Sequence, residues 1–324
     1  MPTFDVPEPP DLVRPRPLRP GDRVVVLCPS GPVDPAALDR GNSWLRELGL
    51  DVRVGAHARD RAPGPDFLAG ADEDRAADLA AAWSDPEVAA VFCARGGYGA
   101  SRLLEHLDLA ALERRTDPPW LVGSSDITAL HTAIRERLGV ATIFGPMVAN
   151  AVLGGEDPSE PSRTHLAAVL FGTEPPALPA GRVLVGGDAQ GRLVGGTLTL
   201  LAAAVGTPWA GSAAGAVVLL EDVDEAAYRL DRMVTQLLQS GWFDGARAVA
   251  LGSWERCGPQ AEEVLVDRLG GLGVPMVAGL PVGHGRPQLS VVLGERAVLS
   301  GGALSGARAG SRGRSERPGA KKVR

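Results

Sequence analysis

VAAVFCARGGYGASRLL, residues 88–104, sets an apolar run, a glycine-rich turn and a helical pattern in direct succession. The run over 88–94 has the length and apolar, partly β-branched content of a strand buried on both faces, and the helical piece spans 99–106. The same order recurs in WLVGSSDITALH, residues 120–131, where a strand at 120–123 meets Ser124-Ser125-Asp126 and a helix over 127–138. Upstream, RVVVLC (23–28) reads as a first strand after a Gly21-Asp22 turn. Residues 35–48 read as a helix, 51–55 as a short strand and 72–83 as an alanine-rich helix. Strands alternating with helices at this rhythm predict parallel βαβ units, and hence an α/β fold with a doubly wound parallel sheet over residues 18–150.

Downstream the pattern changes. Residues 151–181 are rich in Gly, Pro and Ser around one helical piece near 162–171, and they predict a linker. Beyond it, short strands are expected near 182–185 and 191–194, with further strands at 215–220 and 246–252. Helices are expected at 197–205, 224–240 and 260–270, and several short strands between 275 and 304. Together they predict a smaller β-rich α+β domain over 182–305. Within 224–240, Ala227, Leu230, Val234, Leu237 and Leu238 recur at helical spacing and give one apolar face. A proline-rich lead (1–17) and a Gly/Ser/Arg-rich tail (306–324), expected to be disordered, flank these units.

With 324 residues, 44% of them hydrophobic and 22% charged, the chain has material for two domains of ordinary size. The net charge is -6, and the tail sets seven basic residues against Glu316 alone, so the body is more acidic than the whole. An acidic body argues against nucleic acid as the main ligand, because phosphate contacts need basic residues gathered on a folded face. Cys28, Cys93 and Cys257 are widely spaced and fit neither a zinc motif nor a disulfide framework. The first seventeen residues lack the apolar segment of a secretion signal, and no apolar stretch of the ~18 residues a membrane span needs follows. The expected location is therefore the cytoplasm, with no membrane partner.

Ligands of an open parallel sheet bind beyond the carboxyl ends of its strands, which directs attention to Arg95-Gly96-Gly97-Tyr98-Gly99 and to Ser124-Ser125-Asp126. Ser125 suits the apex of a nucleophile elbow, with the N–H of Asp126 turned toward a developing oxyanion. The same residues also suit a helix N-cap, since the second glycine of G-x-S-x-G is missing. The glycine turn can bring the N–H of Gly96 or Gly97 up to a ligand, or serve only as a tight connection. A serine nucleophile needs a base. His57, in a loop, His106, at a helix end, and His165, in the linker, are explained by surface placement, and His131, six residues after Ser125, by packing. His284 lies in Gly279-Leu280-Pro281-Val282-Gly283-His284-Gly285, which suits a functional loop or a solvent-facing one. Glu221 ends the apolar run 216–220, where it can hold an imidazole in one tautomer or cap the helix near 224.

Six segments in order resemble the LD-carboxypeptidases, serine peptidases that include muramoyltetrapeptide carboxypeptidases and microcin C immunity peptidases. They are LRPGDRVVVLCPSGPV (18–33), ARGGYGASRLL (94–104), LVGSSDITALH (121–131), GGTLTLLAAAVGTPW (195–209), LLEDVDEAAYRLDRMVTQL (219–237) and GLPVGHG (279–285). The resemblance implies Ser125 as nucleophile with Glu221 and His284 as its partners. It further implies an oxyanion hole from the N–H groups of Asp126 and of Gly97 in the Gly96-Gly97 turn, and substrate contacts from Arg95, Gly96 and Tyr98. The implied fold is a flavodoxin-like domain joined to a smaller β-rich one, often paired as a homodimer, with the site between the domains and no metal or cofactor. Phe144 stands where relatives often carry histidine, which bears on the substrate pocket. The implied substrate is a small peptide, the murein tetrapeptide of peptidoglycan recycling. It would be cut at the L-to-D bond before its terminal D-Ala, with Arg95 or Arg229 meeting the terminal carboxylate. Two readings compete with this one. The first is a microcin C-type self-immunity peptidase acting on peptidyl or aminoacyl nucleotides, with Trp209 or Trp254 as a platform for the base. The second is a non-catalytic small-ligand binder on the same frame.

Overall fold

The computed structural model describes residues 12–306 except 63 and 65; most of the proline-rich lead and the basic tail from 307 onward lie outside the described residues. The first half runs β1 (Arg23–Leu27), α1 (Pro35–Glu47), β2 (Asp51–Val54), α2 (Asp72–Ser84), β3 (Val88–Cys93), α3 (Ala100–Leu103), α4 (Leu109–Glu113), β4 (Trp120–Gly123), α5 (Thr128–Ala133) and β5 (Thr142–Phe144). The strands lie parallel in the order β2-β1-β3-β4-β5, a flavodoxin-like doubly wound sheet. β3 and β4 are buried along their whole length, as their unbroken apolar runs require. The α3 helix is one turn rather than the expected 99–106. The 127–138 segment enters α5 through a 3₁₀ turn at Ser125–Ile127 and leaves it through a π turn at Ile134–Leu138.

The helix inside the expected linker, α6 (Glu160–Phe171), is part of the first unit. Leu166, Val169 and Leu170 pack into one core with Val24, Phe92 and Trp120. The second half runs β6 (Arg182–Val185), β7 (Ala189–Thr197), α7 (Leu198–Ala204), β8 (Ala216–Val223), α8 (Ala227–Gln239), β9 (Ala248–Glu255), α9 (Ala261–Leu269), β10 (Met276–Ala278), β11 (Val291–Leu293), β12 (Arg296–Ser300) and β13 (Ala303–Gly306). Its seven-stranded sheet has the order β13-β12-β7-β8-β9-β10-β6, with β7 to β10 parallel. The remaining strand, β11, crosses back to pair antiparallel with β5, so the chain downstream of residue 284 is tied to the first sheet. Both this strand and α6 cross the boundaries expected at 151–181 and 182–305.

Strand parity fixes what each face of the second sheet meets. Val218 and Leu220 of β8 turn toward α7, α8 and α9, packing with Leu198, Leu230 and Leu265. Val217 and Leu219 turn the other way, into a cluster with Phe144 and Val291 of the first sheet. Glu221 continues the odd series and Asp222 the even one. The two adjacent carboxylates therefore leave the strand on opposite faces.

Candidate active site

Ser125 sits directly beyond β4 with φ of 60°, in the left-handed region that a non-glycine residue rarely occupies. This is the conformation of a sharp strand-to-helix turn. The N-cap position belongs to Ser124, whose side chain makes no capping bond and instead accepts from Gln288 Nε2 at 3.0 Å. The glycine turn after β3 packs against the serine: a Cβ on Gly96 would lie 2.9 Å from Ser125 Cβ and 3.2 Å from its Oγ. Gly96 in turn accepts from the N–H of Gly31 beyond β1 at 3.0 Å. The carboxyl ends of β1, β3 and β4 thus converge at the point where a doubly wound sheet offers a ligand site. Asp126 is buried; burial pushes its carboxyl up, while the N–H of Ala100 donates to it at 2.7 Å and helps hold the turn.

The second unit brings two side chains to this point. His284 Nε2 lies 3.0 Å from Ser125 Oγ, and its Nδ1 lies 2.6 Å from Glu221 Oε2. Glu221 does not end its strand as expected. β8 continues to Val223, and in its pairing with β9 the single residue Glu221 opposes both Gly252 and Ser253. That bulge opens room for the histidine loop. Ser253 N donates to Val282 O at 2.9 Å, and a Cβ on Gly252 would fall 2.3 Å from that same oxygen. Ser253 Oγ then accepts from Gly285 N at 2.9 Å. Gly283 has φ of 120°, and a Cβ there would meet Glu221 Oε2 at 2.4 Å, so the loop passes over the carboxylate only as glycine.

Glu221 is fully buried, and both of its oxygens are engaged. Oε1 accepts from the hydroxyl of Thr197 at the end of β7, and Oε2 faces the imidazole. Thr197 also crosses the seam, donating its backbone N–H to Thr128 Oγ1 at 3.1 Å. Burial opposes protonation of His284, but the hydrogen bond and charge of Glu221, with Asp222 adding, outweigh it and raise the imidazole above its ordinary value. Asp222, on the opposite face, accepts from the N–H and hydroxyl of Thr199, each at 2.8 Å, and burial pushes it up to about 6.

The other candidates separate clearly. His131 is a buried structural imidazole that contacts Thr142 Oγ1 at 2.8 Å and Gly123 O at 3.0 Å; burial lowers it to about 4. His165 was expected at the surface but is buried on α6, where the N–H of Ser290 donates to it. His57 and His106 are solvent-accessible, as their loop and helix-end positions suggested, and His57 contacts Asp60. Tyr98 is half exposed and meets Phe67 edge-on. Arg95 donates to Pro32 O at 2.7 Å, whereas Arg229, on α8, is engaged by Tyr228 and Glu225. Phe144 is fully buried at the seam beside His131 and Gly196, a core position rather than a wall of the cleft. Trp209 packs beneath Arg137, and Trp254 pairs with Asp222 inside the sheet. A cavity of about 1180 Å³ bordered by Leu178, Leu193 and Ala297 contains none of Ser125, Glu221 or His284.

Thr197, Ser253 and Gln288 are the supporting residues that motif reading passed over. Thr197 lies inside a quoted motif, GGTLTL, but nothing local marks its hydroxyl as the partner of a carboxylate on the next strand. The arrangement as a whole can move a proton from a serine hydroxyl to an imidazole braced by a buried carboxylate.

Two family models describe the chain: the LD-carboxypeptidase N-terminal domain over residues 24–145 and the LD-carboxypeptidase C-terminal domain over residues 190–299. A provisionally named carboxypeptidase of Streptomyces coelicolor is 49% identical over 296 residues, covering 89% of this chain and 94% of that protein. The murein tetrapeptide carboxypeptidase of Pseudomonas aeruginosa is 34% identical over 296 residues, covering 87% and 94%. Among solved structures, muramoyltetrapeptide carboxypeptidase from Oxalobacter formigenes matches with a TM-score of 0.74 at 28% identity, covering 87% of this chain and 96% of that one. The microcin C7 self-immunity protein matches with a TM-score of 0.81 at 22% identity, covering 92% and 99%, and shares the fold.

Proposed function

The chain belongs to the LD-carboxypeptidase family, and we propose that it is a serine carboxypeptidase that releases the terminal D-Ala of murein tetrapeptide with Ser125, Glu221 and His284 as its catalytic residues. The observation that carries this reading is the line of contacts from Ser125 Oγ to His284 Nε2 at 3.0 Å and from His284 Nδ1 to Glu221 at 2.6 Å. The substrate follows the murein peptide relatives, of which the Pseudomonas aeruginosa protein spans nearly the same length.

In this mechanism Ser125 Oγ attacks the carbonyl of the L-to-D amide as His284 Nε2 takes its proton, and Glu221 stabilises the imidazolium that forms. The negative charge on the carbonyl oxygen meets the N–H groups of Asp126 and Gly97. Collapse breaks the C–N bond, and His284 returns the proton to the departing D-Ala amine, leaving an ester on Ser125. Water, deprotonated by His284, then hydrolyses that ester and restores the hydroxyl. Every step is proton transfer and acyl transfer by residues of the chain. Tyr98 and Arg95, both exposed, border the glycine turn and are the side chains we assign to the rest of the peptide.

We propose, from the resemblance to the family, that the reaction belongs to cytoplasmic peptidoglycan recycling and is carried out by a homodimer. Release of D-Ala from murein tetrapeptide tests the substrate. The fold shared with the microcin C7 self-immunity protein supports one second reading, hydrolysis of an aminoacyl sulfamoyl adenosine. Activity on that compound with none on the tetrapeptide would replace the first reading by the second.

A further inference from the structure

Among the described residues three non-glycine positions have positive φ: Ser125 at 60°, Asp224 at 59° and Arg256 at 56°. Asp tolerates this region through its short polar side chain, but a long side chain such as Arg rarely enters it. Asp224 and Arg256 follow β8 and β9 directly and face each other. Asp224 N donates to Glu255 O at 2.9 Å, and Arg256 Nε and Nη2 donate to the two Asp224 carboxylate oxygens at 2.6 and 2.7 Å. Their side chains are 62% and 66% exposed, so solvent screens the pair, and its bidentate geometry chiefly fixes the direction of the guanidinium. An arginine held in this backbone beside Ser125 and His284 fits the tendency of strained residues to cluster at functional sites.

The pair stands beside the reaction centre. A Cβ on Gly285 would lie 3.1 Å from Glu255 Oε1, and Ser253, three residues before Arg256, holds the N–H of Gly285. The charge of Arg256 opposes protonation of His284, and His284 in turn helps Arg256 keep the Asp224 carboxyl low. Asp224 occupies the Nε–Nη2 edge of the guanidinium. The Nη1 end has no hydrogen bond among the described residues, which leaves a fork open to a second carboxylate. Arg95 and Arg229, the cations expected for this role, are turned to Pro32 and to Tyr228.

We propose that Arg256, presented by Asp224, receives the carboxylate of the residue that leaves and so restricts cleavage to the chain end. The inference rests on the peptidase reading above. Its test compares murein tetrapeptide carrying a free terminal carboxylate with the same peptide as a C-terminal amide. Wild type should prefer the acid by about 10- to 100-fold in kcat/KM, the worth of one charge-assisted contact, expressed mainly in KM. Arg256→Gln should raise KM for the acid by that factor, leave the amide unchanged and abolish the preference. Arg256→Lys should restore part of it, as a point charge without the fork. Asp224→Asn, which keeps the guanidinium but loosens its brace, should raise KM less than Arg256→Gln does. An unchanged acid preference in a folded Arg256→Gln protein would overturn the inference while leaving Ser125 as nucleophile. A wild type that cuts neither peptide would overturn the substrate reading and this inference with it.

Discussion

Thr197 donates its hydroxyl to Oε1 of Glu221, the carboxylate oxygen that His284 does not use. A fully buried carboxylate needs each oxygen satisfied. Thr197→Val keeps the shape and removes the donor, so it should cost about 1–3 kcal/mol of stability in urea unfolding and lower kcat more than it changes KM. Thr197→Ser should retain both properties, and a Val variant matching wild type in stability would show that the bond does not matter.

The pH profile follows from His284. Its imidazole is raised above the ordinary value because Glu221 outweighs the effect of burial. The base must be neutral to accept the serine proton. kcat/KM should therefore fall on the acid side with a midpoint above about 6.5. Glu221→Gln removes the charge but leaves the burial, so the midpoint should drop below that value and kcat should fall by about 10⁴-fold. The stability effect has the opposite sense. A raised folded-state value means that protonated His284 stabilises the fold below its unfolded value, a contribution lost as pH rises through the folded value. The stability gap between wild type and Glu221→Gln should therefore narrow from pH 6 to pH 8.

Backbone strain at Ser125 separates catalysis from folding. Ser125→Gly relieves a left-handed φ of 60°, whereas Ser125→Ala keeps it. Both should be inactive, and the Gly variant should be the more stable by about 1 kcal/mol. Equal unfolding midpoints would argue against strain at the turn.

The loop over Glu221 depends on Gly283, where a Cβ would lie 2.4 Å from Oε2. Gly283→Ala should push the imidazole out of line and lower kcat by about 10²-fold, with the fold intact by circular dichroism. Wild-type turnover in that variant would place the working histidine elsewhere.

The first sheet was legible because its strands are buried on both faces and carry unbroken apolar runs, and because Ser125 and the glycine turn fall where such strands end. β5 and the partner of β11 were not: each strand is three residues long, and although short strands were expected between 275 and 304, the pairing of Val291 with Phe144 joins segments far apart in the chain. His165 was misread because a Gly/Pro-rich setting resembles surface linker, while the apolar side of α6 covers the sheet. Glu221 was found as a carboxylate at the edge of an apolar run. Its true position, inside a strand opposite a bulge, depends on β9, which no local pattern reveals. The cation beside His284 was missed for the same reason, since Arg256 reaches the site only through the pairing of β8 with β9.

The central claim is that Ser125 carries the acyl group, and the direct measurement is D-Ala released from murein tetrapeptide by wild type and by Ser125→Ala under identical conditions. Wild type should turn over, and the variant should fall by about 10⁴-fold or more while remaining folded. Equal release by both proteins would contradict the account.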